Sequence, residues 1–426
     1  MTLQLLTPLL PSPPRATPSR PPVRQQPFLP ALPVRDALPD RPDVAFLVFD
    51  LRGSGVVRNL CHLVNATVEA GWRVCLVMVR DGGELAGQPL DPQVERHILL
   101  PGHALPQRAL AIAQAVPAMR RWLANHHPRV LFSAGSHIHP LAAAAVVGQA
   151  ARPRVIMRLS NDFRHERPRG VGRMLSRLRA PLMRGLMRRV ASQADDLVCV
   201  ARELADRASR ELAPVNARLH AIPNGVDIAG VSAAGRAAVS DPWFSEGTTP
   251  VVLGIGRLVA QKNFAMLLRA FALARARRPL RLAILGTGGQ QATLQRLAIQ
   301  LGIADDVRLM GFDANPYRYL ARASLLVQTS LWEGMPNVLL EAFAAGCPVV
   351  ATRCPTGVVE LVETPDGPLA PLVALDDVPG LAQAMLDRLD ASRDSDRLIA
   401  RARQFERSHM LHRYVDLIEA SLATAP

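Results

Sequence analysis

Short apolar runs alternate with longer amphipathic stretches from Asp43 onward. Val44–Phe49, Val74–Val79, Val130–Phe132, Val155–Met157 and Leu197–Val200 form a first series of runs. Val251–Ile255, Leu282–Leu285, Val307–Leu309, Leu325–Val327 and Val349–Val350 form a second. These runs are mostly apolar, as strands are when a parallel sheet is covered on both faces. Helix-like segments between them make βαβ units. The two series part around Asn224–Thr249, where polar residues, Gly and Pro cluster. The pattern predicts an α/β protein of two Rossmann-like domains facing a cleft, with a terminal helical stretch at about 396–422. Sheets of this kind take ligands beyond the carboxyl ends of their strands.

The densest signals lie between the last two strands. Ser330–Thr352 opens on a polar turn, and a helix signal follows. Pro336 suits the first helical position, and Gly346 with Pro348 suits the stop. Glu333 stands in the turn before this helix, and Glu341 stands about a turn and a half inside it. A helix N-terminus offers unpaired N–H groups and the positive end of a dipole, which suits an anion. Gly334 lets backbone approach a ligand closely. Two carboxylates around an anion site suit a ligand with both hydroxyls and phosphates, which describes a nucleotide sugar.

Composition narrows the classes. At 426 residues, 49% of them hydrophobic, the chain has material for the cores of two or three domains. It lacks any apolar run of about 18 residues, so no membrane-spanning helix is expected. Residues 1–40 hold eleven prolines and little apolar periodicity, so a disordered tail is expected. They also lack the basic start and clean apolar block of a signal peptide. Cys61, Cys75, Cys199, Cys347 and Cys354 are scattered, sit mostly beside apolar residues and fit no zinc spacing. They read as buried thiols of a cytosolic protein. The formal net charge is +14 and comes almost entirely from arginine, because Lys262 is the one lysine. The two side chains are not interchangeable, so Lys262 marks a position that needs a compact ammonium.

Glycines follow several strands. Leu51–Arg58 places Gly53 and Gly55 after the first strand, ahead of a helix expected from about Asn59. Such a loop brings a phosphate or sugar to backbone N–H groups; a plain strand-to-helix turn explains it equally well. In Val251–Asn263, Gly256 and Arg257 follow the strand, and Lys262 stands at the next helix start. A solvated basic loop fits these two cations; the resemblance given below implies instead a clamp that neutralises a pyrophosphate and stabilises it as a leaving group. Arg grips with two N–H groups, and Lys acts as a point charge. Leu285–Gly289 either approaches a phosphate or simply caps its strand.

Residues 151–190 carry twelve arginines against Asp162 and Glu166, with Met and Leu between them at roughly helical spacing. Such a segment suits an anionic membrane surface or the solvated face of a domain helix. For nucleic acid it lacks stacking aromatics, Phe163 aside.

Glu333 and Glu341, in Glu-Gly-Met-Pro-Asn-Val-Leu-Leu-Glu-Ala, closely resemble the signature of the retaining glycosyltransferases of family 4, which have the GT-B fold. The resemblance spans about residues 43–420 and is strongest over 250–365. It implies transfer of a sugar from a nucleoside diphosphate donor, of the UDP-hexose or UDP-N-acetylhexosamine type. The acceptor would be a glycan or lipid-linked sugar of cell-surface polysaccharide or glycolipid synthesis. It implies retention of configuration and neither metal nor cofactor. Residue by residue, it puts Glu333 on the donor sugar, Glu341 on the ribose, and Arg257 with Lys262 on the diphosphate. Gly55, Gly256, Gly334, Met335, Pro336 and Asn337 would surround the donor, with Met310 of Val307–Phe312 at the base. Arg58 stands where the family often has a basic residue, and Asn224–Asp227 is expected at the interdomain link.

Two departures stand out. Val358, in Cys354–Glu360, replaces a family Pro. Ser160 aligns with a histidine that many relatives place near the donor sugar. Ser160 can hydrogen-bond a hydroxyl but cannot carry a proton near neutral pH. Gly53, Asn161 and the loop residues His137 and His139 complete the candidates on the acceptor and sugar side.

The implied layout is a tail at 1–40, an acceptor-side domain at 41–225, a nucleotide-sugar domain at 226–405 and a helix at 406–426 crossing back to the first domain. The implied setting is cytoplasmic, peripheral to the inner leaflet through residues 164–190, with no nucleic acid as partner. The Ser160 departure motivates a rival: a catalytically silent nucleotide-sugar-binding partner of another transferase. A pyridoxal-phosphate phosphorylase of related architecture needs a Schiff-base lysine, and Lys262 already fits the diphosphate clamp. The one Asp-x-Asp, Asp394-Ser-Asp396, lies outside these motifs and reads as solvated.

Overall fold

A computed structural model of the chain describes residues 41–425, apart from 53–54, 83–88, 162–171, 214–215 and 246–248; of 172–181 it describes the helical backbone. The expected tail at 1–40 therefore lies outside the described residues, as does Gly53.

Two parallel sheets carry the architecture. The first contains β1 (Val44–Val48), β2 (Val74–Met78), β3 (Glu95–Ile98), β4 (Val130–Ala134), β5 (Arg154–Leu159), β6 (Asp196–Cys199) and β7 (Arg218–Ala221), in the order β3-β2-β1-β4-β5-β6-β7. The second contains β8 (Val251–Ile255), β9 (Arg281–Leu285), β10 (Val307–Gly311), β11 (Leu325–Gln328), β12 (Val349–Thr352) and β13 (Leu372–Val373), in the order β10-β9-β8-β11-β12-β13. Each order reverses beside its first strand, between β1 and β4 and between β8 and β11. Such reversals open a crevice at the strand ends.

Three strands carry no signal in the apolar pattern. β3 reads Glu-Arg-His-Ile and β7 reads Arg-Leu-His-Ala; both are edges with half-exposed or exposed side chains. β13 is two residues long.

The first sheet is flanked by α1 (Gly55–Glu69), α2 (Arg108–His126), α3 (His139–Val146), α4 (Gly172–Ala191) and α5 (Arg202–Glu211). The second carries α6 (Ile228–Gly235), α7 (Phe264–Arg275), α8 (Gln291–Gln300), α9 (Tyr317–Leu320), α10 (Asn337–Ala344), α11 (Val358–Val362), α12 (Val378–Asp390) and α13 (Ser395–Arg403), and α14 (Arg407–Ala423) follows. The helix after β1 starts at Gly55, earlier than the expected Asn59, so Gly55 is a helical residue. The terminal helical stretch is broken into α13 and α14. At the break, Val226 N–H donates to the Phe405 carbonyl and Arg407 N–H donates to the Val226 carbonyl, both at 2.9 Å.

Alternate residues of each strand serve opposite faces, as the period of two requires. Val44, Phe46 and Val48 of β1 pack with Leu76, Phe132, Leu60 and Val64 on one face. Ala45, Leu47 and Phe49 join Val77, Met157 and Met119 on the other. The first of these cores also takes in Tyr414, Leu417, Ile418 and Leu422 of α14. Trp72 donates its indole N–H to Glu419 at 3.2 Å, and Arg129 donates to the Leu422 carbonyl at 2.7 Å. By packing, α14 is a part of the first domain. All five cysteines are buried free thiols, which agrees with their apolar sequence neighbours.

Ile418 is fully buried in this core. Ile418→Ala should cost about 2–5 kcal/mol through lost burial and a residual cavity. Urea unfolding followed by tryptophan fluorescence checks this, and an unchanged midpoint would show that α14 does not stabilise the first domain.

Candidate active site in the cleft

The sites predicted from sequence gather at the carboxyl ends of the two sheets. Loops after β1, β4 and β5 supply Asp50–Arg52, Gly135–His137 and Ser160–Asn161, with Gly55 at the start of α1 beside them. Loops after β8, β10 and β11 supply Gly256–Lys262, Gly311–Phe312 and Thr329–Asn337. The turn after β11 is pressed against the first domain. A Cβ on Gly334 would lie 2.2 Å from the Ser160 carbonyl oxygen and 3.0 Å from the Asn161 Cα. A Cβ on Gly55 would lie 2.7 Å from Asn337 Nδ2. Glycine at 334 is thus required by close backbone approach.

Glu333 is 7% exposed. Its Oε1 accepts from Lys262 Nζ at 2.5 Å, from the Ser330 hydroxyl at 2.6 Å and from Gln328 Nε2 at 3.4 Å. Its Oε2 makes no hydrogen bond among the described residues. Lys262 is held in place by lacing between two loops. The Thr329 hydroxyl donates to the Lys262 carbonyl at 2.9 Å, and Leu331 N–H donates to the Gln261 carbonyl at 2.8 Å. Gln261 donates in turn to the Trp332 carbonyl at 2.9 Å. From the other side the Thr356 hydroxyl donates to the Glu333 carbonyl, and to that of Gly334 at 3.2 Å. Thr356 has φ of 70°, a strained value for a β-branched residue. Surrounding contacts hold that strain against the turn.

Glu341, on α10, is 6% exposed and its Oε1 accepts from Arg58 Nη2 of the first domain. Arg58 Nη1 donates to the Tyr317 hydroxyl at 3.2 Å. The carboxylate raises the Arg58 pKa, against the opposing effect of burial. Pro336 caps α10 from one position before the helix instead of occupying its first position. Asn224 donates to the Met335 carbonyl at 3.0 Å and to Asn337 Oδ1 at 2.7 Å. It accepts from Arg158 Nη2 at 2.6 Å, and Arg158 Nε donates to the Tyr414 hydroxyl at 2.9 Å. The turn expected to serve as an interdomain link therefore also ties the site's helix start to β5 and α14. Arg257 is exposed and has no side-chain partner among the described residues. Met310 is half-buried on the edge strand β10, next to the exposed Phe312.

Two family models match the chain. One described as Glycosyltransferase Family 4 covers residues 53–229, and one described as Glycosyl transferases group 1 covers residues 249–391. The chain belongs to the family 4 glycosyltransferases. It is 42% identical over 110 residues to the N-acetylgalactosamine-N,N'-diacetylbacillosaminyl-diphospho-undecaprenol 4-alpha-N-acetylgalactosaminyltransferase of Campylobacter jejuni, covering 26% of this chain and 30% of that one. It is 34% identical over 165 residues to the lipopolysaccharide core biosynthesis glycosyltransferase LpsE of Rhizobium meliloti, covering 37% of this chain and 44% of that one. The chain thus spans less than half the length of these curated relatives.

Among solved structures, sucrose-phosphate synthase from Thermosynechococcus elongatus superposes with a TM-score of 0.72 at 18% identity, covering 90% of this chain and 100% of that one. The apo lipopolysaccharide outer core galactosyltransferase WaaB superposes with a TM-score of 0.64 at 16% identity, covering 88% and 99%. These likenesses establish the GT-B fold.

The remaining sugar-side candidates of this family member separate clearly. Ser160 is half-buried, and its hydroxyl reaches the Arg158 carbonyl only at 3.5 Å. His137 is exposed after β4, with its ring edge-on to Phe49 at 6.0 Å. His139 is fully buried at the start of α3. Its Nδ1 accepts from the Ser133 hydroxyl at 2.8 Å, and its Nε2–H donates to the Arg158 carbonyl at 3.2 Å. Those bonds describe a neutral imidazole. Burial, with a smaller contribution from His137, lowers its pKa to about 3. His139 is therefore a buried support for β5, bonded on both ring nitrogens, and its ring is not free for a sugar.

The unfolded chain protonates His139 below about pH 6.5, whereas the folded chain does so only near pH 3. Its stabilising contribution is complete above pH 6.5 and is lost as pH falls between those values. The slope from this one group approaches about 1.4 kcal/mol per pH unit. Melting curves from pH 7 to pH 4 should fall more steeply for wild type than for His139→Gln; parallel curves would contradict the assignment.

Proposed function

We propose that the chain is a retaining, metal-independent transferase. It moves a sugar from a nucleoside diphosphate, of the UDP-hexose or UDP-N-acetylhexosamine type, to a glycan or lipid-linked acceptor. The observation that carries this reading is the pair of enclosed carboxylates. Each is held through Oε1 by a cation, Glu333 by Lys262 and Glu341 by Arg58. Each keeps Oε2 for a ligand hydroxyl. Glu333 takes hydroxyls of the donor sugar, and Glu341 takes those of the ribose. The diphosphate lies between Arg257 and Lys262, which neutralise the charge that builds up as it leaves. Gly256, Gly334, Met335, Pro336 and Asn337 line the donor, Met310 meets the base, and Gly55 closes the first-domain side. Ser160, Asn161 and His137 face the acceptor and sugar. Two similar proteins support the ligand class: the structural neighbour Alr3699/HepE of Anabaena has been solved in complex with UDP-glucose, and the Campylobacter relative is named for transfer to a diphospho-undecaprenol-linked sugar.

The same reading places the chain on an anionic cytoplasmic membrane surface. Residues 162–171 of the arginine-rich segment lie outside the described residues. In the described turns of α4, Leu182, Met183 and Leu186 are 77%, 49% and 50% exposed, beside the exposed Arg184, Arg188 and Arg189. These three side chains are turned away from the domain, whereas Met187 and Val190 of the same helix pack against its core. Among the described residues no helix is long and apolar enough to cross a membrane.

Nucleotide sugars should stabilise chelator-treated protein, by about 2.7 kcal/mol at a hundredfold excess over the dissociation constant. A thermal-shift series that shows no response to any nucleotide sugar contradicts the donor site. Lys262→Ala and Arg257→Ala should each fold and lose on the order of a hundredfold or more in turnover. Donor hydrolysis by purified wild type separates an enzyme from a silent binding partner.

Cosedimentation with vesicles should strengthen with anionic lipid and weaken with salt, each exposed cation adding about 1 kcal/mol at most. Arg184→Gln, Arg188→Gln and Arg189→Gln together should reduce it; unchanged binding would remove α4 from the contact.

A further inference from the structure

The geometry points to Arg58 as a positioning residue for the nucleotide's ribose, supplied to the donor site by the opposite domain. The inference rests on the reading that Glu341 holds the ribose.

Arg58 lies in the first turn of α1, and both acceptors of its guanidinium belong to the second domain: Glu341 Oε1 and the Tyr317 hydroxyl, the latter at 3.2 Å. The pair is largely enclosed, and the first turn of α1 is pressed against the start of α10 at Gly55 and Asn337. The guanidinium keeps its charge at any working pH.

A ribose arriving at Glu341 brings neutral hydroxyls. If they displaced Arg58, an enclosed carboxylate would lose its counter-charge. Breaking a buried pair by removing one partner is strongly unfavourable. Hydroxyl groups do not replace that charge, and displacement is unnecessary because Oε2 makes no bond among the described residues. The ribose hydroxyls therefore take Oε2 while Arg58 keeps Oε1. The two bonds of the planar guanidinium, to Glu341 and Tyr317, then set the carboxylate's orientation. Opening the cleft pulls Arg58 away and leaves Glu341 uncompensated. Nucleotide affinity thus depends on the first domain even where that domain does not touch the nucleotide.

The test uses the full chain and whichever of UDP, GDP, ADP and CDP raises its melting temperature most. Calorimetry compares that nucleotide with its 2'-deoxy and 3'-deoxy forms, for wild type, Glu341→Gln, Arg58→Met and Arg58→Lys. Wild type should prefer the ribose form, and Glu341→Gln should lose the preference. Arg58→Met should weaken binding of the ribose form by about tenfold or more. It should also shrink the preference toward that of Glu341→Gln. Arg58→Lys keeps the charge but not the two-pronged reach, so it should fall between Met and wild type. Melting without ligand shows whether each variant folds; if Arg58→Met does not, Arg58→Lys carries the test.

An intact ribose preference in folded Arg58→Met, or in Arg58→Lys where it carries the test, overturns the inference. So does tighter binding, which would mean that Arg58 competes with the ribose. If Glu341→Gln keeps the preference, or if none of the four nucleotides binds, the ribose reading itself falls and this inference with it.

Discussion

Burial of two carboxylates beside a ligand cleft imposes the constraint on which the rest of this site depends. At 7% and 6% exposure, Glu333 and Glu341 are buried carboxylates, and buried charges are paired. The chain meets that need in two ways. Lys262 serves Glu333 from a neighbouring loop of the same domain, so that pair survives any domain motion. Arg58 serves Glu341 from the opposite domain, so that pair depends on how the two domains are arranged. One carboxylate is compensated from within its own domain and the other from across the cleft.

The interdomain turn is held in the same arrangement. Asn224 uses donors and acceptor together, reaching Met335, Asn337 and Arg158. Arg158 is itself buried and anchored by Tyr414 of α14. A side-chain amide satisfied in this way holds a single geometry, because each displaced bond would leave a buried polar group unpaired. The start of α10 is therefore fixed to β5 and α14 by hydrogen bonds, and apolar packing alone could not specify its rotation as tightly.

Much of this was legible in the sequence, for identifiable reasons. Buried parallel strands such as Val44–Val48 and Val251–Ile255 announce themselves as apolar runs. The polar edges β3 and β7 do not, because their solvent-facing residues interrupt any period. Glu333, Glu341, Arg257 and Lys262 stand out by spacing around Gly and Pro, and by the absence of any other lysine. Ser330, three residues before Glu333, was within reach of the same local reasoning. The partnership of Arg58 with Glu341 was not, since 283 residues separate them and only the domain arrangement brings them together. The sequence places the start of α1 about four residues late, because Gly55 reads as a loop residue. Its close approach to Asn337 explains a glycine there without a loop. His137 and His139 looked alike as loop histidines, and burial alone distinguishes them.

The packing of α14 has a consequence for biosynthesis. Leu417, Ile418 and Leu422 cover a face of β1, β2 and β4, yet the ribosome delivers them after the whole second domain. At about 5–20 residues per second, roughly a quarter to one minute passes between the emergence of β4 and that of α14. During that interval Phe46, Leu76 and Phe132 lack part of their cover. The core of the first domain is thus completed only when α14, made after the second domain, packs onto it.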